Sequence, residues 1–272
     1  MFYNHPSFIN NNAPQASLES AIVVLNPSES KRLIAKAIAV LPEVKSALQK
    51  STLVISMGTT NAMVAEEIIG KTIENRAIFT RGVVCEGKLN ANTEMDLFPI
   101  VLKEGKVIEM HQKAALEEFR PGDVFIKGAN AVDVKGDVGV LVGSEVGGTV
   151  GEAWYAVSGR GGCLICPVGL EKLVPSVSEV APKTNIYRYK YSMGMPACLI
   201  FMPTAKVITE IQAIKVLSSA DAYFIASGGV GGSEGAVTLI MEGDAATVKK
   251  AFELVKSVKD EPPVVRPPKL AL

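Results

Sequence analysis

Three short polar turns hold the residue types that bind anions and move protons. In the stretch "SMGTTN", Gly58, Thr59, Thr60 and Asn61 stand between a short apolar run and a helical pattern. A strand, a small-residue turn and a helix N-terminus aim bare N–H groups and the positive end of the helix dipole at one spot, a geometry that holds phosphate or carboxylate. In "IKGANAVD", Lys127, Gly128 and Asn130 end a second apolar run and add a cation able to pair with the same charge. In "GSEVGGTVGEA", Gly147 and Gly148 turn the chain into a helix that carries Glu152. That carboxylate either steadies the helix dipole or acts as a general base. Lys172 lies just past a further apolar run, either as a surface lysine or as a second cation for the anion. Asn130 and Asp133 equally suit a turn closed by side-chain bonds to the backbone. Thr59, Thr60 or Asn61 can cap a helix starting near Ala62.

These turns need a frame that brings them together. Apolar runs at residues 52–56 and 124–126, in "VGVLVG" and in "CLICPVG" read as strands, with helical patterns between them. Another run, "AIFTRGVVCEG", carries Arg81, a further cation within reach of the same ends. Short strands that are apolar on both faces and alternate with helices predict a parallel, Rossmann-like sheet covered by helices on both sides. Ligands of such sheets bind beyond the C-terminal ends of the strands, and all three turns fall there. Upstream, Asn26, Pro27 and Glu29 carry the signature of a helix start, and Pro42 marks its end. Composition shifts after Ala181. A helix over 205–217, strands at 222–226 and 236–242, a glycine-rich connection at 228–235 and a helix over 245–258 capped by Asp244 follow. With a strand from "ACLIFM" they predict a small α+β (ferredoxin-like) lid. The expected organisation is a disordered tail over 1–17, an α/β domain over 18–185, the α+β domain over 186–260 and a proline-rich extended tail over 261–272.

Composition narrows the function classes. Apolar residues make up 48% and charged residues 21% of the 272, enough for a packed core. A formal net charge of zero argues against nucleic-acid binding through bulk electrostatics. No apolar run reaches the roughly 18 residues of a membrane span. The first residues lack the basic-then-apolar order of a secretory signal. A soluble cytoplasmic protein, homo-oligomeric and without a membrane partner, is expected. Cys163 and Cys166 form a lone CxxC, but on a strand residues three apart point to opposite faces. His5 and His111 lack ligand spacing, so neither a metal nor another cofactor is expected. Trp154 and Tyr155 are expected in the core.

In motif order, "SMGTTN", "KGANAVD", "GSEVGGTVGEA" and "GLEKLV" followed by the small C-terminal unit, the chain resembles ribose-5-phosphate isomerase A. It resembles more broadly the superfamily that joins that isomerase with glucosamine-6-phosphate deaminases and CoA transferases. The resemblance covers about two thirds of the chain. It implies a sugar-phosphate scaffold, with Glu152 at the place of the isomerase's proton-moving glutamate and Lys172 at that of its later lysine. The two aspartates of the isomerase's Asp-Gly-Ala-Asp run fall on Lys127 and Asn130, and its glycine-run lysine falls near Gly143. Loss of those groups removes most of the electrostatic stabilisation of an enediolate. The resemblance therefore implies the fold and an anionic, phosphorylated ligand without that isomerisation. Within the same superfamily, "GSEVGG" resembles an altered CoA-transferase turn, which makes Glu145 the alternative nucleophile. A third expectation is a sensing or assembly protein that kept the fold and lost the chemistry.

Overall fold

The computed structural model describes residues 1–3, 18–93 and 98–271. Most of the predicted N-terminal tail, residues 4–17, lies outside them. The chain enters with β1 (Glu19–Leu25), α1 (Pro27–Val40), α2 (Pro42–Lys50), β2 (Thr52–Ile55) and α3 (Thr59–Ile69). Two hairpins follow, β3 (Gly82–Cys85) with β4 (Lys88–Ala91), and β5 (Ile100–Lys103) with β6 (Lys106–Ile108). Then come α4 (Gln112–Glu117), β7 (Val124–Ile126), β8 (Ala131–Val132), β9 (Val138–Val142), α5 (Gly148–Ser158) and β10 (Cys163–Pro167). A 3-10 turn at Leu170–Lys172 and α6 (Val177–Val180) lead to β11 (Cys198–Phe201), β12 (Lys206–Ile208) and α7 (Glu210–Ser218). The last elements are β13 (Asp221–Ser227), β14 (Val237–Gly243) and α8 (Ala245–Lys256).

The architecture is mixed α/β around a mostly parallel six-stranded sheet, ordered β12-β10-β7-β2-β5-β6. The first four strands run parallel, and the β5–β6 hairpin adds two antiparallel strands beside β2. Side chains alternate across the sheet as the strand period requires. Leu53, Ile55, Val124, Ile126 and Ile165 pack on one face with Leu33, Ile38, Met63 and Ile214 of α1, α3 and α7. Val54, Phe125, Leu164 and Cys166 pack on the other with Leu116, Val150 and Ala153 of α4 and α5. Cys163 joins the first face and Cys166 the second, so the CxxC sulfurs diverge as the strand period predicts.

Several expectations are corrected. The run around Arg81 is a separate two-stranded hairpin, not a strand of the main sheet. Its turn places Glu86 and Gly87 at φ 53° and 72°, and the β5–β6 turn does the same with Glu104 and Gly105 at 48° and 75°. Positive φ at both turn residues is what tight hairpins need, and only the glycine of each pair signals it. β9 leaves the main sheet and pairs antiparallel with β8 and β11. The helix expected over 205–217 divides into β12 and α7. The branched residues Val207 and Ile208 extend the main sheet beside β10, and Thr209 with Gln212 forms a capping box that starts the helix only at Glu210.

Residues 186–260 do not gather into one sheet. β11 pairs with β9 and β12 with β10, while β13 and β14 take β1 from the start of the chain, in the order β1-β14-β13. The apolar cluster on the first face runs without a break into Leu25, Leu239, Met241 and Val255 of that small sheet and α8. The glycine-rich segment does connect β13 to β14, and Asp244 caps α8 by accepting the Thr247 N–H at 2.9 Å. Glu29 accepts the Asn26 N–H at 2.7 Å, so the predicted start of α1 also stands. The proline-rich tail lies along the protein's own surface, with Val264 N–H donating to Ser28 (3.2 Å) and Ala271 N–H to the Ala91 carbonyl (2.9 Å). Among the described residues no helix is long and apolar enough to cross a membrane.

Candidate functional site

Two of the parallel strands end together. Ile55 pairs with Ile126 and Ile126 with Ile165, so β2 and β7 release the chain at one level, beside β10, which runs two residues further to Pro167. The ladder runs one step further: Ser56 N–H donates to the Ile126 carbonyl and Lys127 N–H to the Ile165 carbonyl, both at 3.0 Å. Gly58 is the N-cap of α3, and Thr59 and Thr60 are its first helical residues rather than its caps. No side chain caps this end, so its first-turn N–H groups lack an intrahelical partner. Thr60 and Asn61 are buried. Asn61 Nδ2 donates to the carbonyls of Ser56 (2.6 Å) and Ile126 (3.1 Å), tying the α3 entry to β7. Two carbonyl partners fix the amide's orientation. They leave Asn61 Oδ1 buried without a donor, beside Gly128, where a Cβ would come within 3.8 Å of it. Ser56 Oγ is also buried without a partner.

Among the described residues Lys127 reaches two backbone carbonyls, Met57 at 3.4 Å and Gly128 at 3.5 Å. Among the described residues no carboxylate lies within ion-pair distance of it. Burial pushes its ammonium down to about 8, and the charge of Lys172 acts in the same direction. The Cys166 thiol beside it opposes this only when ionised, and burial pushes that thiol up to about 12. Lys172 donates to the Ala129 carbonyl at 3.2 Å and lies 4.0 Å from Glu171. Its pKa is lowered by burial and by Lys31, while Glu171 pulls the other way. Lys31 pairs with the same Glu171 oxygen at 3.3 Å. Glu210, fully buried at the start of α7, accepts the Leu170 N–H at 2.9 Å. Burial raises its pKa. Lys31 and Lys172 therefore share one carboxylate, Glu171, with a carboxyl that resists ionisation, Glu210, near Lys172, and Lys172 in turn acts on Lys127. Gly235, at the end of the β13–β14 connection, lies on this group: a Cβ there would stand 3.2 Å from Glu171 and 3.3 Å from Pro27.

Of the residues singled out from sequence, Gly58, Thr59, Thr60, Asn61, Lys127, Gly128 and Lys172 belong to this edge. Asn130 is tied to β9, its Oδ1 accepting the Leu141 N–H at 3.0 Å. Asp133 accepts the N–H groups of Lys135 (2.9 Å), Asp137 (3.1 Å) and Val177 (2.9 Å) and is structural. The third turn stands apart. Gly147 packs near Gly151 and Ile200, and Gly148 near Val142. Glu152 accepts a hydrogen bond from Gln112 at 3.0 Å, across the α4–α5 contact. Glu145 accepts one from the Tyr187 hydroxyl at 2.6 Å. Among the described residues no hydrogen bond or ion pair joins this turn to the lysine group. The Arg81 guanidinium lies over the Phe98 ring, 5.9 Å from its centre. Trp154 and Tyr155 are exposed rather than core. Trp154 lines a 240 Å³ groove between α5 and β11 with Val150, Gly151, Ile200 and Phe201. A 40 Å³ cavity lies under the β3–β4 hairpin against Asn130 and Gly143, and neither is lined by the lysine group.

Sequence reasoning missed Ser56, Lys31, Glu171 and Glu210. The Thr209 to Gln212 capping box is a readable signal for Glu210. Nothing local marks Lys31, which arrives from α1 through tertiary packing. No protein-family model, curated protein or solved structure matches the chain.

Proposed function

We propose that this protein binds a small anionic metabolite, phosphorylated or carboxylated, at the C-terminal edge of its parallel strands. The observation that carries the reading is the unmatched charge of Lys127. A buried ammonium without a carboxylate costs free energy unless an anion arrives to pair with it. It stands beside the bare N-terminus of α3, the part of a helix most favourable to negative charge. Lys172 supplies a second cation. Ser56 Oγ and Asn61 Oδ1 are unpaired groups suited to the hydroxyls of a sugar-like ligand. Glu152 and Glu145, bonded to Gln112 and Tyr187, have no contact with this edge, so the proposal assigns them no part in binding.

The test is thermal stabilisation by inorganic phosphate and by ribose 5-phosphate. Both should raise the melting temperature, the sugar phosphate more. Thr59→Glu places a carboxylate at the half-exposed first residue of α3 and should abolish both shifts while the protein still unfolds cooperatively. Full stabilisation retained in that variant sinks the proposal.

A further inference from the structure

Resting on that reading, we propose that Lys127 is a nucleophile, and that the ligand is an aldehyde or ketone carrying a phosphate or carboxylate, which Lys127 captures as an imine. Three features of the geometry point there. Lys127 is the one lysine of the group that is tied to no carboxylate: Lys31 and Lys172 share Glu171. Its nitrogen is held only by long contacts to two carbonyls, so little must break before it attacks. It projects from the strand end next to α3, so an anionic group bound at that helix N-terminus places the rest of a small ligand against it.

Lysines become nucleophiles at neutral pH when an apolar site and a neighbouring cation disfavour the ammonium. Both conditions hold. Ile126, Met57 and Cys166 supply buried surroundings, and Lys172 supplies the cation. The charged groups that act on Lys172 in turn are Lys31, Glu171, which is engaged by both of those lysines, and Glu210, whose ionisation burial resists. The lowering of Lys127 to about 8 agrees with this arrangement.

The chemistry balances without a further reactant. The neutral amine attacks the carbonyl carbon and the C=O π pair moves to oxygen; the new ammonium nitrogen releases one proton to solvent and the oxygen takes one up, giving a neutral carbinolamine. Protonated loss of water then leaves an iminium, C=N⁺H, on Lys127. Hydrolysis reverses the sequence. While it lasts, the iminium draws electron density from the adjacent carbon, which is the step that proton exchange or carbon–carbon cleavage at that position requires.

Pyridoxal 5′-phosphate is the probe, as an aldehyde that carries its own phosphate. The whole chain is incubated with it, reduced with borohydride, digested and mapped by mass spectrometry. The expected result is one reduced adduct per chain, on Lys127, that saturates and is suppressed by inorganic phosphate. Pyridoxal without the phosphate should label at least tenfold less. Labelling at Lys127 should level off above about pH 9, where an ordinary lysine with a pKa near 10.4 still gains. Lys127→Arg keeps the charge but cannot form an imine. It should retain stabilisation by phosphate and lose the adduct. Should that variant not fold, the map of the unaltered protein decides alone. Label spread over surface lysines, or placed on Lys31 or Lys172, overturns the proposal. Stabilisation by phosphate with no adduct on Lys127 overturns the nucleophile and leaves the anion site standing. Absence of both overturns both.

Discussion

Replacing Lys127 by methionine should make the protein more stable at neutral pH and less able to bind its ligand. The magnitude follows from linkage. Burial lowers the folded-state pKa from 10.5 to about 8, and each unit is worth about 1.4 kcal/mol. Below pH 8 lysine is protonated in both states, and folding carries the full penalty of about 3 kcal/mol. Between pH 8 and 10.5 the unfolded chain binds more protons than the folded one, so stability rises with pH. Above 10.5 the penalty is gone. Methionine has nearly the same length and no charge, so it removes the penalty at every pH. The variant should exceed the parent by about 3 kcal/mol at pH 7 and by about 1.5 kcal/mol at pH 9.5. Taking roughly 2–4 °C per kcal/mol, the melting temperature at pH 7 should rise by about 6–12 °C as an upper bound. Urea unfolding of both proteins at the two pH values measures the gap, and phosphate titration measures the lost binding. A variant less stable than the parent at pH 7, or a gap that does not shrink with pH, would refute the claim that an unmatched buried charge sits there.

Four further outcomes are expected. Asp133→Ala strands three N–H groups on a residue that is 1% exposed and should cost about 3–5 kcal/mol by urea unfolding. Arg32→Met leaves Glu66 and Glu261 to Arg76 and Glu67 to Lys36, and the lost charge-assisted bonds should cost about 1.5–3 kcal/mol. Limited proteolysis should then reach residues 261–271 first, because Glu261 anchors them. Glu210→Gln should stabilise at neutral pH more than at pH 4: the folded state holds the proton above the ordinary carboxylate value, so the parent loses stability as pH rises through that window. Ribose 5-phosphate should not be isomerised at a rate near the typical enzyme's roughly 10 per second, because among the described residues no carboxylate is bonded to Lys127 to move the proton; a coupled spectrophotometric assay checks it.

What could be read from sequence divides along a physical line. Local chemistry was legible wherever one residue decides a turn. Asn26 with Glu29, Asp244, Gly228 to Gly235 and the turn-closing Asp133 all act within a few residues of themselves. So was the face alternation that separates Cys163 from Cys166. Pairing between distant strands was not. Lys206–Ile208 has branched residues compatible with either period, and a three-residue strand is too short to show one. Only the open edge of β10 decides it. β9 carries the same apolar signature as β7, yet β11 competes successfully for its backbone groups. The β5–β6 hairpin is hidden because Glu-Gly is a weaker turn signal than Asn-Gly or Asp-Gly.

The candidate site follows the same division, with one consequence for its chemistry. Gly58, Lys127 and Lys172 were visible because each sits at the end of its own strand, and parallel strands bring their ends together without further information. The third turn carries the same kind of glycines, and it failed to join because its strand, β9, belongs to another sheet. Glu152 went with it. The Glu152 carboxylate thus stands away from the edge by topology, while Lys31 is brought in by the packing of α1 against the sheet. Among the described residues the edge that results is cationic, has no carboxylate paired with Lys127 and keeps a lysine in an apolar setting. An edge of that composition suits anion capture and amine chemistry far better than a carboxylate-driven proton shuttle. Adding a carboxylate back tests this: Gly128→Asp, beside Lys127 and Asn61, should pair with the lysine, raise its pKa toward the ordinary value, and suppress both phosphate stabilisation and pyridoxal 5′-phosphate labelling. Labelling unchanged in a folded Gly128→Asp protein would mean that Lys127 does not owe its reactivity to the absence of an anion.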